Sequence, residues 1–334
     1  MPLSKNPSVL ETSTGLVETL RTAAGSAPRS FRPAHAKGRL VTGTFTPSSR
    51  AAELSSASHF NASSTPITVR FSSSTGLPEI SDKDPNANPR GIAVRFHLPD
   101  NNGRRQHTDI IAHSTQYFPT RTGAEFLEFL KAATGSNAAE AVPEFLNRHP
   151  ETVRFLQDPK PSPVSFANEK FFGVNAFRFV KDDVITTLRY RIVPIAGEEH
   201  LDSLGIEERS TTYLFDELSD RLHNNSIDFN LLAQIAEEGD VTDDATQLWP
   251  SERKVVELGR IKIEKTLSDQ ESLNIQQQII FDPIPRVHGV EPSDDPLLEV
   301  RASVYLVAGK QRREAADVLK AEVAASHDLV EAAT

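Results

Sequence analysis

The chain contains no cysteine, a single methionine and a single tryptophan. Without cysteine there is no disulfide, no thiolate nucleophile and no metal centre held by sulfur. Long apolar runs are also missing, and none could span a bilayer. The opening residues Met1 to Pro7 lack the apolar core of an export signal, and Glu331 to Thr334 form no recognised address, so a cytoplasmic location is expected. No Gly-x-Gly occurs, which removes the dinucleotide fingerprint and the phosphate-cradling loop. His-Glu-x-x-His and Gly-x-Ser-x-Gly are absent as well. The ten histidines are scattered, and His97, His107 and His113 have no recognised metal spacing. A formal net charge of -10 offers no surface-wide attraction to nucleic acid.

What is present is an ordinary globular composition, 334 residues with 38% apolar content, enough for one large domain or two modest ones. Short strands between turns are predicted at Gly38 to Phe45, Ile67 to Ser73, Gly91 to Leu98 and Gln106 to Ala112. The nearly continuous apolar run Ile92 to Phe96 suits a strand buried on both faces. Turn clusters at Asp84 to Pro89 and Pro99 to Gly103 separate them. Helices follow at Gly123 to Thr134, where Phe126, Phe129 and Leu130 form an apolar stripe, and at Ala138 to Asn147. Further strands are predicted at Phe172 to Val180, Val184 to Ile192, Ile227 to Ile235, Val255 to Lys262 and Ser272 to Ile279, with a helix at Thr211 to Leu222. A helix from about Pro296 to Val307 follows the caps Asp294 and Asp295, and an Ala-rich helix runs from about Arg312 to Ala325. Many strands followed by helices give an α+β fold with a barrel or large antiparallel sheet.

The segment Asp295 to Tyr305 carries chemistry. On a helix, Arg301 and Tyr305 lie one turn apart on one face. A guanidinium beside a phenol favours the phenolate, and a ferric ion favours it far more. A tyrosinate is one of the few axial ligands that hold heme iron, and it keeps the iron ferric. A buried tyrosine with a surface arginine one turn away would satisfy the same spacing.

A second segment, Arg32-Pro33-Ala34-His35-Ala36-Lys37-Gly38, resembles the distal motif of the catalase superfamily. Matching segments follow in family order: Val69-Arg70-Phe71-Ser72, Asn88 to Phe96, Phe118-Pro119-Thr120-Arg121, Phe281-Asp282-Pro283, Gly289-Val290-Glu291 and the Arg301 to Tyr305 helix. The resemblance covers about residues 29 to 313. It implies a single catalase-like heme domain over residues 1–334, with the C-terminal helix reaching about residue 326. The implied architecture is an antiparallel β-barrel with surrounding α-helices and heme b between the barrel and the C-terminal helix. Position by position, Tyr305 becomes the proximal ligand of ferric iron and Arg301 its charge partner. His35 becomes the distal base that takes a proton from peroxide and returns it to the leaving oxygen. Ser72 matches the serine near that histidine. Arg32, Arg70 and Arg312 match arginines that pair with heme propionates, although surface ion pairing is open to each of them. Phe126 matches the phenylalanine against the heme, with plain core packing as its other reading.

His113 departs from the family, standing where full catalases place a distal asparagine. Either it or Ser114 orients the peroxide, or His113 is a structural histidine turned away from the pocket. The chain is also shorter than a typical catalase subunit, and Leu306-Val307-Ala308-Gly309 follows Tyr305 as in the small catalase-related peroxidases. The resemblance implies an enzyme that uses organic hydroperoxides or hydrogen peroxide to oxidise a small donor. The His113 departure leaves room for only weak dismutation, and the resemblance suggests a homodimer; the charge and the lack of long apolar runs give no nucleic-acid partner and no membrane span. An allene oxide synthase-like enzyme that rearranges or cleaves fatty-acid hydroperoxides, or a heme-binding protein without turnover, shares the same motifs.

Overall fold

The structure is a computed structural model that describes residues 2–101 and 103–331. The turn expected at Asn102 and the end of the chain from Ala332 lie outside the described residues. The strands are β1 (Gly38–Pro47), β2 (Thr65–Ser72), β3 (Gly91–Asn101), β4 (Arg104–His113), β5 (Phe171–Phe172), β6 (Phe177–Lys181), β7 (Val184–Pro194), β8 (Ile227–Ile235), β9 (Val255–Thr266) and β10 (Val290–Pro292). The helices are α1 (Pro7–Ala23), α2 (Ser49–Leu54), α3 (Ser58–Asn61), α4 (Gly123–Thr134), α5 (Ala138–Arg148), α6 (Pro150–Gln157), α7 (Ser203–Glu207), α8 (Tyr213–Asn224), α9 (Asp269–Gln278) and α10 (Pro296–Glu331).

Every ladder is antiparallel, and the order β5-β4-β3-β2-β1-β9-β8 closes through β7, which pairs with β5 near Ile192 and with β8 along Leu188 to Pro194. The result is an eight-stranded barrel, with β6 and β10 extending from the free part of β7. Eight strands leave room only for side chains. Inward residues such as Ile227, Phe229, Leu231 and Ala233 alternate with outward ones along β8 and fill the interior. Phe71 stacks on Phe166 at 4.8 Å, and Phe45 meets Phe96 edge-on at 5.1 Å. A barrel packed this way has no space for a large ligand. Outside it the helices cross.

α10 supplies that crossing. The Leu306 to Gly309 stretch does not end the helix, as the two-helix reading required; one helix runs from Pro296 to Glu331. Gly309 stays inside it because a Cβ there would sit 2.4 Å from Ile280 Cδ1, so close packing rather than a break explains the glycine. Gly123 serves in the same way at the start of α4, where a Cβ would meet Val300 Cγ1 of α10 at 2.5 Å. The strand expected at Ser272 to Ile279 is helix α9. Ser268 and Glu271 form a capping box, and that local signal outweighs the alternation of Leu273 and Ile275. The strand expected at Phe172 to Val180 is two pieces, β5 and β6, separated by Gly173 to Ala176. α1 escaped the sequence reading because its apolar residues Leu16, Val17 and Leu20 are sparse among Ser and Thr. Its helix begins at an Asn6 cap and Pro7, and it packs on α10 and α4.

His59 lies on α3 where that helix packs on the barrel, 2% exposed, with its ring 4.0 Å from that of Phe60 and 4.9 Å from that of Phe96. Burial pushes its pKa down to about 3, so the fold holds it neutral. The unfolded chain binds a proton near pH 6.5 that the folded chain refuses, and stability is therefore lost as pH falls from there toward 3. In His59→Leu, the drop in unfolding free energy between pH 7 and pH 5, measured by denaturant titration, should shrink by about 2 kcal/mol. An unchanged drop would show that His59 does not couple to folding.

Candidate active site

α10 starts at Pro296 directly after Asp295, whose carboxylate accepts the Leu297 backbone N–H at 2.9 Å. The other oxygen of Asp295 accepts from Asn175 Nδ2 at 2.7 Å, and Asn175 Oδ1 accepts from Arg301 Nη1. Arg301 Nη2 then donates to the Tyr305 hydroxyl at 3.3 Å. A buried carboxylate thus orients an amide, which orients a guanidinium, which faces the phenol oxygen. Asn175 had no sequence signal, because it lies in the short link between β5 and β6 and meets α10 only in three dimensions.

His35 lies in the loop before β1 at a positive φ of 54°, a strained placement for a residue with a Cβ. Its Nδ1 is 3.1 Å from Ser72 Oγ. The loop is pinned by Lys37, whose Nζ reaches Asp82 at 2.7 Å and the Ile80 carbonyl at 2.8 Å. A Cβ on Gly91 would fall 2.7 Å from Ser72 Oγ and 3.0 Å from His35 Nδ1, so only glycine leaves room for the pair. The ladders place Gly38, Ser72, Gly91 and His113 in one row across β1 to β4. Residues in one row share a face of the sheet, so His113 lies on the face of Ser72 and His35 rather than turned away. Its Nδ1 accepts from the Thr115 backbone N–H at 3.3 Å and lies 2.6 Å from Thr115 Oγ1. On this network the ring proton is assigned to Nε2, leaving His113 with one N–H donor.

Both imidazoles are neutral. Burial first, then the charges of Arg70, Arg32 and Arg301, push His35 down to about 4. Burial first, then Arg301 and His35, push His113 down to about 3. That Arg301 acts on both histidines from the helix of Tyr305 places the two sides of the site within electrostatic reach of each other.

Three guanidiniums meet beside this site. Arg70 and Arg312 are 4% and 3% exposed, and Arg32 is half-buried. Arg70 donates to the Gln276 side-chain oxygen at 2.7 Å and to the His35 carbonyl at 2.8 Å. Arg312 donates to the carbonyls of Gln277 at 3.2 Å and Ile279 at 2.5 Å, and Arg32 shares the Ile279 carbonyl at 3.3 Å. All these acceptors are neutral. Among the described residues no carboxylate pairs with any of the three. Burial and mutual repulsion push Arg70 down to about 9 and Arg312 down to about 8. Uncompensated buried charge costs several kcal/mol per ion, so the cluster suits a ligand carrying more than one negative charge. Two heme propionates meet that requirement, and the Tyr305 oxygen would be the iron ligand on the same molecule.

Phe126 is half-buried on α4 and packs on Phe118, rings 4.9 Å apart and tilted 60°. Its described ring contact is to Phe118, not to His35, Ser72 or Tyr305, so the geometry brings the other site residues together more closely than Phe126.

Comparison with known proteins bears on the family and the fold. The family model described as Catalase matches residues 27–331. A catalase-related peroxidase of Mycolicibacterium paratuberculosis is 34% identical, covering 89% of this chain and 93% of that protein. One of Synechococcus elongatus is 29% identical, covering 83% and 82%. Among solved structures, catalase A from Saccharomyces cerevisiae superposes with a TM-score of 0.74 at 19% identity, and a fungal catalase with 0.73 at 19%. The chain covers 64% and 62% of those two proteins, so the likeness to them is one of fold over part of their length.

If the three arginines await an anion, Arg312→Met should stabilise the heme-free protein by about 1–3 kcal/mol in denaturant unfolding while weakening heme uptake at least tenfold. Loss of stability in the heme-free variant would mean that the carbonyl contacts alone justify the arginine.

Proposed function

The chain belongs to the catalase family, and from that premise we propose that it is a heme peroxidase that reduces organic hydroperoxides or hydrogen peroxide with electrons from a small donor. The observation that carries the reading is the buried arginine cluster, unmatched by any described carboxylate, lying between the His35 loop and the Tyr305 helix. Heme b, bound through ferric iron, would supply the centre that accepts peroxide and takes up its two oxidising equivalents.

In this reading Tyr305 is the iron ligand. The Arg301 guanidinium, itself oriented by Asn175 and Asp295, donates a hydrogen bond to the Tyr305 oxygen and fixes its position. Arg32, Arg70 and Arg312 hold the propionates through planar forks. His35 is the base: neutral and fixed at Nδ1 by Ser72, it takes the proton of the attacking peroxide and returns it to the departing oxygen. His113 offers a single N–H toward the same space, where a carboxamide would offer two donors and an acceptor. One donor can orient a hydroperoxide oxygen, but it gives a second hydrogen peroxide molecule less to bind, which favours donor oxidation over dismutation. Phe126 would pack against the heme. The reading carries with it one catalase-like domain, a cytoplasmic location and a homodimer. No described helix is long and apolar enough to cross a membrane.

His35→Ala should lower cumene hydroperoxide turnover by about 100-fold or more, the usual contribution of a positioned acid–base group. Wild-type turnover should hold from neutral pH downward and fall only as pH approaches about 4, where His35 takes a proton. A midpoint near 6.5, or normal turnover in the variant, would assign the base to another residue.

A further inference from the structure

Asp82 lies in the link between β2 and β3 and is 0% exposed. Its carboxylate oxygens bond to other elements. Oδ1 accepts from Lys37 Nζ at 2.7 Å, and Oδ2 accepts from the backbone N–H of Leu214 at 3.0 Å, in the first turn of α8. The Asp82 carbonyl accepts from Arg90 Nη2 at 2.6 Å, and Arg90 Nη1 donates to Ser73 Oγ at 2.6 Å. The His35 loop, the residue after β2 and the start of α8 are thus fastened to one buried residue. Lys37 is the arm from the loop, and its Nζ lies 5.1 Å from the centre of the Phe215 ring on α8. Its carbonyl accepts from the Ser73 N–H at 3.1 Å, and the Ala36 N–H donates to the Thr75 carbonyl at 3.0 Å. The two residues that follow His35 are therefore held, and His35 itself stays at its φ of 54°. A residue with a Cβ keeps such a φ only where its surroundings enforce it. A buried ion pair adds little net stability over an apolar pair of the same volume. One placed two residues from a strained histidine is suited to holding that histidine.

We propose that Asp82 is a positioning residue for the distal base, acting through Lys37 to keep the His35 imidazole buried against Ser72. Its meaning for catalysis rests on the peroxidase reading; the fastening of His35 does not. The charged and titratable groups that face the imidazole are Arg32 of its own loop, Arg70 of β2, His113 of β4 and Arg301 of α10. Burial outweighs all of them in keeping it neutral, so the loop must stay closed for the base to stay free of a proton. Lys37 and Asp82 are not among the charges that move His35, and neutralising both leaves the local net charge as it was. A higher His35 midpoint on breaking the pair would therefore report regained contact with water.

The test is the double variant Lys37→Met/Asp82→Asn, which leaves neither partner charge unpaired and keeps an acceptor for the Leu214 N–H. NMR titration of the heme-free full-length chain, isotope-labelled at histidine, follows the His35 ring, and His35→Ala identifies its signal. The midpoint should be about 4 in the wild type and higher by about one pH unit or more in the variant. In heme-loaded protein, kcat for cumene hydroperoxide should fall about tenfold, part of the about 100-fold that a positioned base contributes, with KM within about twofold. Thermal unfolding verifies the variant, and Asp82→Asn alone, expected to move both readouts the same way, replaces it if it does not fold. An unchanged His35 midpoint in the folded variant overturns the proposal, whatever happens to turnover. A raised midpoint with wild-type kcat overturns it as well, because the base then needs no fastening. A raised midpoint in a protein whose wild type turns over no hydroperoxide leaves the fastening standing and overturns the peroxidase reading.

Discussion

Three guanidiniums from distant parts of the chain share a buried space without an acid to neutralise them. That constraint organises the molecule around the site. Arg32 comes from the loop before the first barrel strand, Arg70 from β2 and Arg312 from two turns beyond Tyr305 on α10. Each is held by carbonyls that belong to the others' surroundings: Arg70 by the backbone of His35, Arg32 and Arg312 by the same Ile279 oxygen. Removing water from such a cluster is unfavourable until an anion arrives. The protein therefore spends folding stability on a binding surface, as functional sites commonly do. The electrostatics also reach the chemistry, because Arg70 and Arg32 add to burial, the larger cause, in keeping His35 unprotonated.

The barrel does the positioning. Its interior is filled with phenylalanine and aliphatic side chains, so its contribution to the site is the outer end of four neighbouring strands. There a single ladder row holds Gly38, Ser72, Gly91 and His113. A shift of one residue in any of these pairings would turn Ser72 or His113 to the opposite face. Two of the four are glycines, and both are crowded by the site. A Cβ on Gly38 would meet Arg70 Nη2 at 2.4 Å, and one on Gly91 would meet Ser72 and His35.

Much of this was legible in the residues. The barrel strands were visible because each is short, apolar and bounded by turns, and the Arg301 and Tyr305 spacing put both on one face of a helix. Tyr305, His35, Ser72 and the three arginines were named from ordered motifs, and the fold brings their elements together. What could not be read was what depends on distant contact. Asn175 is an unremarkable residue in a link, and its role exists only because α10 passes beside it. The helix expected to stop near Val307 continues, and the sequence does not show the Ile280 side chain that packs against Gly309 within it. The state of His113 depended on Thr115 and on burial, neither of which spacing conveys. α9 was misread where a capping box competed with alternating apolar residues.

The central claim is that the Tyr305 oxygen holds ferric heme iron while His35 faces it from the barrel side. Resonance Raman and optical spectra of the heme-loaded protein test it most directly. Wild-type protein should show high-spin ferric iron with tyrosinate vibrations and a phenolate charge-transfer band, and Tyr305→Phe should lose those features or the heme itself. The same spectrum in Tyr305→Phe, or a wild-type spectrum typical of histidine ligation, would contradict it.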